Sequence, residues 1–250
     1  MPRLLPTLRL LALALVSAAS LLAANAPKPL KVLLVTGGCC HDYDLQTKAF
    51  AEGAAKIAKI EWTVINEGGK GTTAEIPLYN NPDWAKGFDA VVHNECFANT
   101  DSPEYIRKIT TAHKTGKVPA VVIHCAMHSY RAAKVDDWRE FLGVTSRKHD
   151  HQSNYAVTVV AKDHPALLGF PDTWTTPKDE LYIIEKLWPK AKALATSVSE
   201  KDGSVNPVIW INDYHGARVF GTTYGHSNAT WHDPVFVTLV TRGLLWAAGR

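Results

Sequence analysis

Three short apolar runs in this chain each end in groups that can move protons or bind a cation. KVLLVT (Lys31–Thr36) leads into Gly37-Gly38-Cys39-Cys40-His41-Asp42, DAVVH (Asp89–His93) into Asn94-Glu95-Cys96, and PAVVIH (Pro119–His124) into Cys125-Ala126-Met127-His128. Imidazole titrates near neutrality and is a common metal ligand, so His41, His124 and His128 can serve as acids, bases or ligands. Gly37 and Gly38 permit backbone to approach a ligand closely, and Asp42 can join His41 over a substrate hydroxyl. The plainer role for Asp42 or Asp44 is to cap the helix that follows. Asn94 can hydrogen-bond a hydroxyl, and Glu95 becomes a general base if desolvation raises its pKa; otherwise it is a solvated loop acid. His124 ends an apolar strand, where a satisfied core histidine is the alternative.

Further along, Asp179-Glu180-Leu181-Tyr182 offers two carboxylates and a phenol. On an extended chain Glu180 and Tyr182 face one way while Leu181 packs on the other, so both can line a pocket. His226 follows Gly225 at the end of another apolar run. His149-x-His151 is expected on a loop and puts two imidazoles on one side only if the segment is extended. With His124, His226 or Glu180, that pair could supply three N/O ligands to a single divalent metal (zinc, manganese or iron) and leave a position open. The chain carries no compact metal motif such as H-E-x-x-H. One histidine binding substrate and the other facing water fits the same spacing.

The elements that must position these groups are legible from periodicity. Lys31–Thr36, Trp62–Ile65, Asp89–His93 and Pro119–His124 read as strands. Helices are expected over Leu45–Lys59, where Phe50, Ala54 and Ile57 recur at helical spacing, and over Ser102–His113, with Ser102 as N-cap and Pro103 at the first position. Such alternation implies right-handed crossovers and a parallel sheet with helices on both faces. Tyr155–Val160, Leu181–Ile184, Ala193–Val198, Val208–Ile211 and Arg218–Thr223 then form a strand-rich second half, closed by a helix over Pro234–Ala248. Ligands of open parallel sheets bind outside the carboxyl ends of the strands. Three strands delivering histidines or carboxylates to that edge is the strongest functional signal in the periodicity.

Arg3 and Arg9 account for two of the 27 basic residues, so the rest of the chain sets 25 bases against 24 acids. A near-neutral chain with no basic run lacks the electrostatic footprint of a nucleic-acid binder. Residues 1–26 read as a secretory signal: Arg3 and Arg9, then the uncharged stretch Leu10–Ala24, then small residues, with cleavage between Ala24 and Pro27. About 15 apolar residues fall short of the ~20 that span a bilayer. Residues 27–250 are therefore expected as one exported domain, periplasmic or secreted and free of the membrane after cleavage. Cys39, Cys40, Cys96 and Cys125 have no C-x-x-C spacing; Cys39 and Cys40 are expected reduced, lining the turn, with a vicinal disulfide or a reactive thiol as the alternative, and the other two as small buried residues.

The tags TGGCCHDY (Thr36–Tyr43), HNE (His93–Glu95), VVIHCAMH (Val121–His128), KHDHQ (Lys148–Gln152), DELY (Asp179–Tyr182), PVIW (Pro207–Trp210) and ARVFGTTYGH (Ala217–His226), with WHDP and RGLLWAAG after them, stand in an order that resembles the ThuA-like family, named for trehalose utilisation. The resemblance covers Lys31 to Gly249. It implies a flavodoxin-like three-layer sandwich akin to class I glutamine amidotransferases, and a role in sugar catabolism on a disaccharide or its 3-keto derivative. The amidotransferase nucleophile turn, laid on Pro119–His128, puts His124 at the nucleophile position and Cys125 one residue late, without a flanking glycine. A nucleophile elbow needs small neighbours, so thiol chemistry is disfavoured. The expected catalytic set is His41, His124, Glu180 and His226. Asp42, Asn94, Glu95, His128, Tyr182 and Trp231 are expected to bind the sugar, Trp231 by stacking. A metal would use His124, His149, His151 and His226, with His151 preferred over His149 because a family histidine falls there. The same pocket could belong to a non-catalytic carbohydrate-binding domain.

Overall fold

The apolar run after Leu30 is strand β1 (Leu30–Gly38), buried along its length except at Lys31. The computed structural model describes residues 28–250, so the leader expected over residues 1–26 lies outside the described residues. Asp42 caps α1 (Tyr43–Ala54), its carboxylate accepting from the Leu45 N–H at 3.1 Å. β2 (Ile60–Asn66) and β3 (Ala90–Cys96) follow. Ser102 caps α2 (Pro103–Gly116), with Pro103 in its first turn where a missing N–H costs nothing. β4 (Ala120–Ile123) comes next, then α3 (Asp137–Leu142). The second half supplies β5 (Val144–Ser153), β6 (Ala156–Val159), β7 (Trp174–Thr175), β8 (Asp179–Leu187), β9 (Ala191–Val198), β10 (Val205–Tyr214) and β11 (Ala217–Thr222). Helices α4 (Asn228–His232) and α5 (Pro234–Ala247) close the chain.

Nine strands make one sheet in the order β2-β1-β3-β4-β11-β10-β9-β6-β7. The pairs β1/β2, β1/β3, β3/β4 and β4/β11 are parallel. This first half is the doubly wound order with its switch point between β1 and β3, where such sheets open a crevice. β10, β9 and β6 extend the sheet antiparallel. Alternate residues of β1 feed two cores: Val32 and Leu34 pack with Phe50, Phe236 and Leu244 under α1 and α5, while Leu33 and Val35 pack with Tyr105, Ile109 and Phe141 under α2 and α3. The result is the expected α/β three-layer sandwich.

β5 and β8 stand apart as an antiparallel two-stranded ribbon. The KHDHQ segment is thus strand, not the expected loop. β3 also continues through Asn94 and Glu95 to Cys96, so these residues are buried strand positions rather than a solvated loop. The cysteines correct the expectation of reduced thiols: Cys39 is bonded to Cys40 and Cys96 to Cys125. β3 and β4 are parallel neighbours, which brings Cys96 and Cys125 to a Cα separation of 5.2 Å at adjoining strand ends. Among the described residues no helix is long and apolar enough to cross a membrane.

Candidate active site

Three imidazoles meet at the carboxyl edge of the parallel strands. His41 stands on the turn after β1, His124 directly after β4, and His226 beyond β11. Their ring centroids lie 4.9 Å (His41–His124), 4.9 Å (His41–His226) and 5.4 Å (His124–His226) apart. His124 has φ 46°, a left-handed conformation that costs a side chain with a Cβ and occurs where surrounding structure enforces it. It occupies the sharp strand-end turn expected from the amidotransferase resemblance.

Each of the three rings is anchored through one nitrogen. His124 Nδ1 lies 2.7 Å from the Thr223 carbonyl, His41 Nδ1 lies 3.3 Å from the His226 carbonyl, and His226 Nε2 lies 2.7 Å from the Gln152 amide. A carbonyl only accepts, so the neutral His41 and His124 rings carry their proton on Nδ1 and present a lone pair at Nε2. Burial, helped by the charge of His226, lowers His41 to about 4. Burial together with His41 drives His124 well below the ordinary histidine value. Both are neutral acceptors at physiological pH.

Glu180 of β8 projects into this cluster. Its Oε2 stands 3.3 Å from His226 Nδ1, 3.7 Å from His124 Nε2 and 3.7 Å from His149 Nδ1. Burial pushes its carboxyl up, but His226, His149 and His41 together outweigh that and hold it below the ordinary carboxylate value. Reciprocally, the Glu180 carboxylate raises His226 against the effect of burial. The alternation read from DELY holds: Tyr182 faces the same side as Glu180, its hydroxyl 3.3 Å from His124 Nε2. Its ring stacks on His128 at 3.9 Å and 8°. His128 is thereby a supporting residue, buried, hydrogen-bonded to Ser146 Oγ at 3.1 Å, and lowered by burial to about 3.

The cluster opens to a polar cavity of about 830 Å³ walled by His41, Asp42, Asp44, Asn66, Lys70, Gln152, His226 and Asn228. That volume lies in the roughly 300–1,000 Å³ range of small-molecule sites. Asp42 lines it while serving as the helix cap. Of the glycine pair, Gly38 lines the cavity, and both glycines are also required by close backbone neighbours. Gly37 and Gly38 have φ of 126° and 99°, and a Cβ there would collide with the carbonyls of Glu67 and Cys96, so they accommodate neighbouring backbone.

Other expected residues sit elsewhere. Asn94 is a layer behind the site: its amide donates to Gln46 Oε1 at 3.3 Å, and Gln46 Nε2 in turn donates to the Gly225 and His226 carbonyls at 3.3 Å. Glu95, on the opposite face of β3, is fully buried beside His93 Nδ1 at 3.0 Å. Trp231 is core: it packs on Phe50 and Phe236, and its indole N–H donates to the Gly225 carbonyl at 2.8 Å. His151 points to solvent and pairs with Glu200 at 2.9 Å. His149, across the ribbon from Tyr182, is the member of the pair that faces Glu180. The His149/His151 ligand pair is therefore split.

Asp179 bears no local mark of its role in the sequence. Fully buried, it accepts from the Gly225 N–H (3.1 Å), the His226 N–H (3.2 Å), Thr230 Oγ1 (2.6 Å) and the Glu180 N–H (2.8 Å). It thus fixes the turn that carries His226 relative to the strand that carries Glu180. Gln46 and Gln152 are likewise silent in the sequence, since their partners are main chain or a ring 74 residues away.

The family model described as "ThuA: Trehalose utilisation" matches residues 31–247. No curated protein matches the chain. Among solved structures, a ThuA-like protein from Parabacteroides merdae superposes with TM-score 0.73 at 22% identity, over 88% of this chain and 90% of that one. A ThuA-like protein from Bacteroides uniformis gives 0.65 at 14% identity, over 89% and 94%. A GMP synthase protein from Thermoplasma acidophilum gives 0.54 at 11% identity, over 88% and 97%. At these identities the likeness is one of fold.

Proposed function

Because the chain belongs to the ThuA, trehalose-utilisation, family, we propose that it is an exported enzyme of sugar catabolism that acts on a keto disaccharide through Glu180 as general base. The observation that carries this reading is the Glu180 carboxylate, held ionised among three imidazoles 3.3–3.7 Å away, one of which, His226, lines the polar cavity.

A 3-keto sugar acidifies the C–H bonds beside its carbonyl. Glu180 removes one such proton, and the electron pair moves into a C=C bond as the carbonyl oxygen becomes an enolate. His226, raised by Glu180 and able to donate, neutralises that oxygen. His124 Nε2, a lone pair 3.7 Å from the Glu180 carboxylate, accepts the proton of the neighbouring hydroxyl. Reprotonation at the former carbonyl carbon then moves the carbonyl along the ring. Expulsion of a glycosidic oxygen one carbon from the deprotonated centre instead cleaves the disaccharide. Both outcomes share the first proton transfer. Export is supported by the Arg3/Arg9–Leu10–Ala24 pattern and by two disulfides, which persist in oxidising compartments.

Glu180→Gln removes the base and keeps the shape. Turnover of a 3-keto disaccharide is expected to fall about 10²–10⁴-fold with the thermal midpoint little changed. Unchanged turnover removes Glu180 from the reaction. Saturable sugar binding by the unaltered protein, with the ligand recovered intact after long incubation, makes the site a binding module instead.

A further inference from the structure

The three ring anchors leave three nitrogens turned inward. One nitrogen each of His41, His124 and His226 lies within 4.8 Å of the others. His41 Nε2 is buried and has no hydrogen-bond partner among the described residues. His124 Nε2 has the Tyr182 hydroxyl at 3.3 Å and Glu180 at 3.7 Å, and His226 Nδ1 faces Glu180 at 3.3 Å. Converging lone pairs, each on a ring whose other nitrogen is held by a carbonyl or amide, are the arrangement in which metal-binding histidines are oriented by a second shell. The Gln152 amide has both donor and acceptor atoms and suits either tautomer of His226.

We infer that His41, His124 and His226 hold one divalent transition-metal ion, with Glu180 beside its open position. Two zinc–nitrogen bonds of about 2.0–2.1 Å at a tetrahedral angle put the nitrogens about 3.3 Å apart. The three nitrogens, within 4.8 Å of one another, have at most about 1.5 Å to close to reach that spacing. The nearby sulfurs do not compete, because all four cysteines are in disulfides. Three imidazoles with a fourth position open is the catalytic rather than the structural pattern, and imidazole donors suit zinc and iron. The assignment deepens the proposed function and reassigns two roles in it: with an ion bound, His226 and His124 are ligands, the ion takes the place of the His226 proton as the Lewis acid at the carbonyl oxygen, and Glu180 remains the base. The assignment is tested without sugar, so the two fail separately.

Tag-free protein purified without chelator is expected to carry about one metal ion per chain by mass spectrometry. Stripped protein is expected to take up one Zn²⁺ by calorimetry, and one Co²⁺ with the visible absorption of a nitrogen-ligated ion. His41→Ala, at a half-buried turn, is expected to lose that saturable uptake, while Glu180→Gln retains it. Gln152→Ala, which leaves all three ligands in place, is expected to weaken Zn²⁺ binding about 10–100-fold. Absence of saturable Zn²⁺ and Co²⁺ uptake by the stripped protein overturns the assignment. So does His41→Ala binding Zn²⁺ as the unaltered protein does.

Discussion

Asp179 is the residue whose loss most directly separates positioning from chemistry. Asp179→Ala strips an acceptor from three backbone N–H groups and the Thr230 hydroxyl, at 2.6–3.2 Å. Leaving a buried donor unpaired costs about 1–3 kcal/mol, so four such donors set a gross loss of about 4–12 kcal/mol. Against this stands the relief of a buried carboxyl that burial raises from 3.8 to about 6 despite those hydrogen bonds. That rise corresponds to about 3 kcal/mol at neutral pH. Water reaching the opened turn recovers part of the remainder, and the expected net loss is about 3–5 kcal/mol, as for other broken buried charge networks. A domain of ordinary stability, about 5–15 kcal/mol, survives that loss. Urea unfolding at pH 7 reads it. Asp179→Asn keeps one carbonyl acceptor but presents an NH₂ to converging donors, and is expected to lose about half as much. The released Gly225-His226 turn no longer holds His226 at 3.3 Å from Glu180, so kcat is expected to fall in both variants while KM changes less. An Asp179→Ala protein of unchanged stability and kcat refutes the positioning argument.

His113 sets an acid limit to stability away from the site. Burial, with His93 beside it, lowers its pKa from 6.5 to about 3. The folded state therefore keeps it neutral while the unfolded chain protonates it. Its contribution is present in full above pH 6.5 and is lost as pH falls toward 3, by up to about 5 kcal/mol. His113→Phe, which preserves the stack on Phe141, is expected to flatten the stability–pH curve in that window; an unchanged slope contradicts it. Trp231→Ala removes a core anchor and is expected to cost about 3–5 kcal/mol by thermal unfolding. Trp231→Phe is expected to leave KM for the sugar near its original value, whereas a large rise in KM returns Trp231 to the site.

The sequence made the strands and the site edge legible because apolar runs ending in polar groups are local signals. Lys31–Thr36 and Pro119–His124 carried His41 and His124 to one edge, and period-two alternation put Glu180 beside Tyr182. Choosing between His149 and His151 required pairing information. Two residues apart on a regular strand they would face the same way, but the ribbon is irregular between His149, opposite Tyr182, and Gln152, opposite Glu180. That extra residue turns His151 out. Ending β3 at His93 misplaced Asn94 and Glu95, since two further strand residues send them to opposite faces. Asp179 and Gln46 act on main-chain groups 46 to 180 residues away, and no local spacing marks such a role. The disulfide between Cys96 and Cys125 likewise follows from β3 and β4 being neighbours, which only topology supplies.

The most direct measurement follows the carbon-bound proton. A 3-keto disaccharide is incubated in D₂O with the unaltered protein and with Glu180→Gln, and proton NMR records the C–H signal beside the carbonyl. Exchange or loss of that signal with the unaltered protein, reduced to the background rate by Glu180→Gln, is the result expected of a carboxylate base at the centre of the imidazole cluster. Exchange at the same rate with both proteins contradicts it.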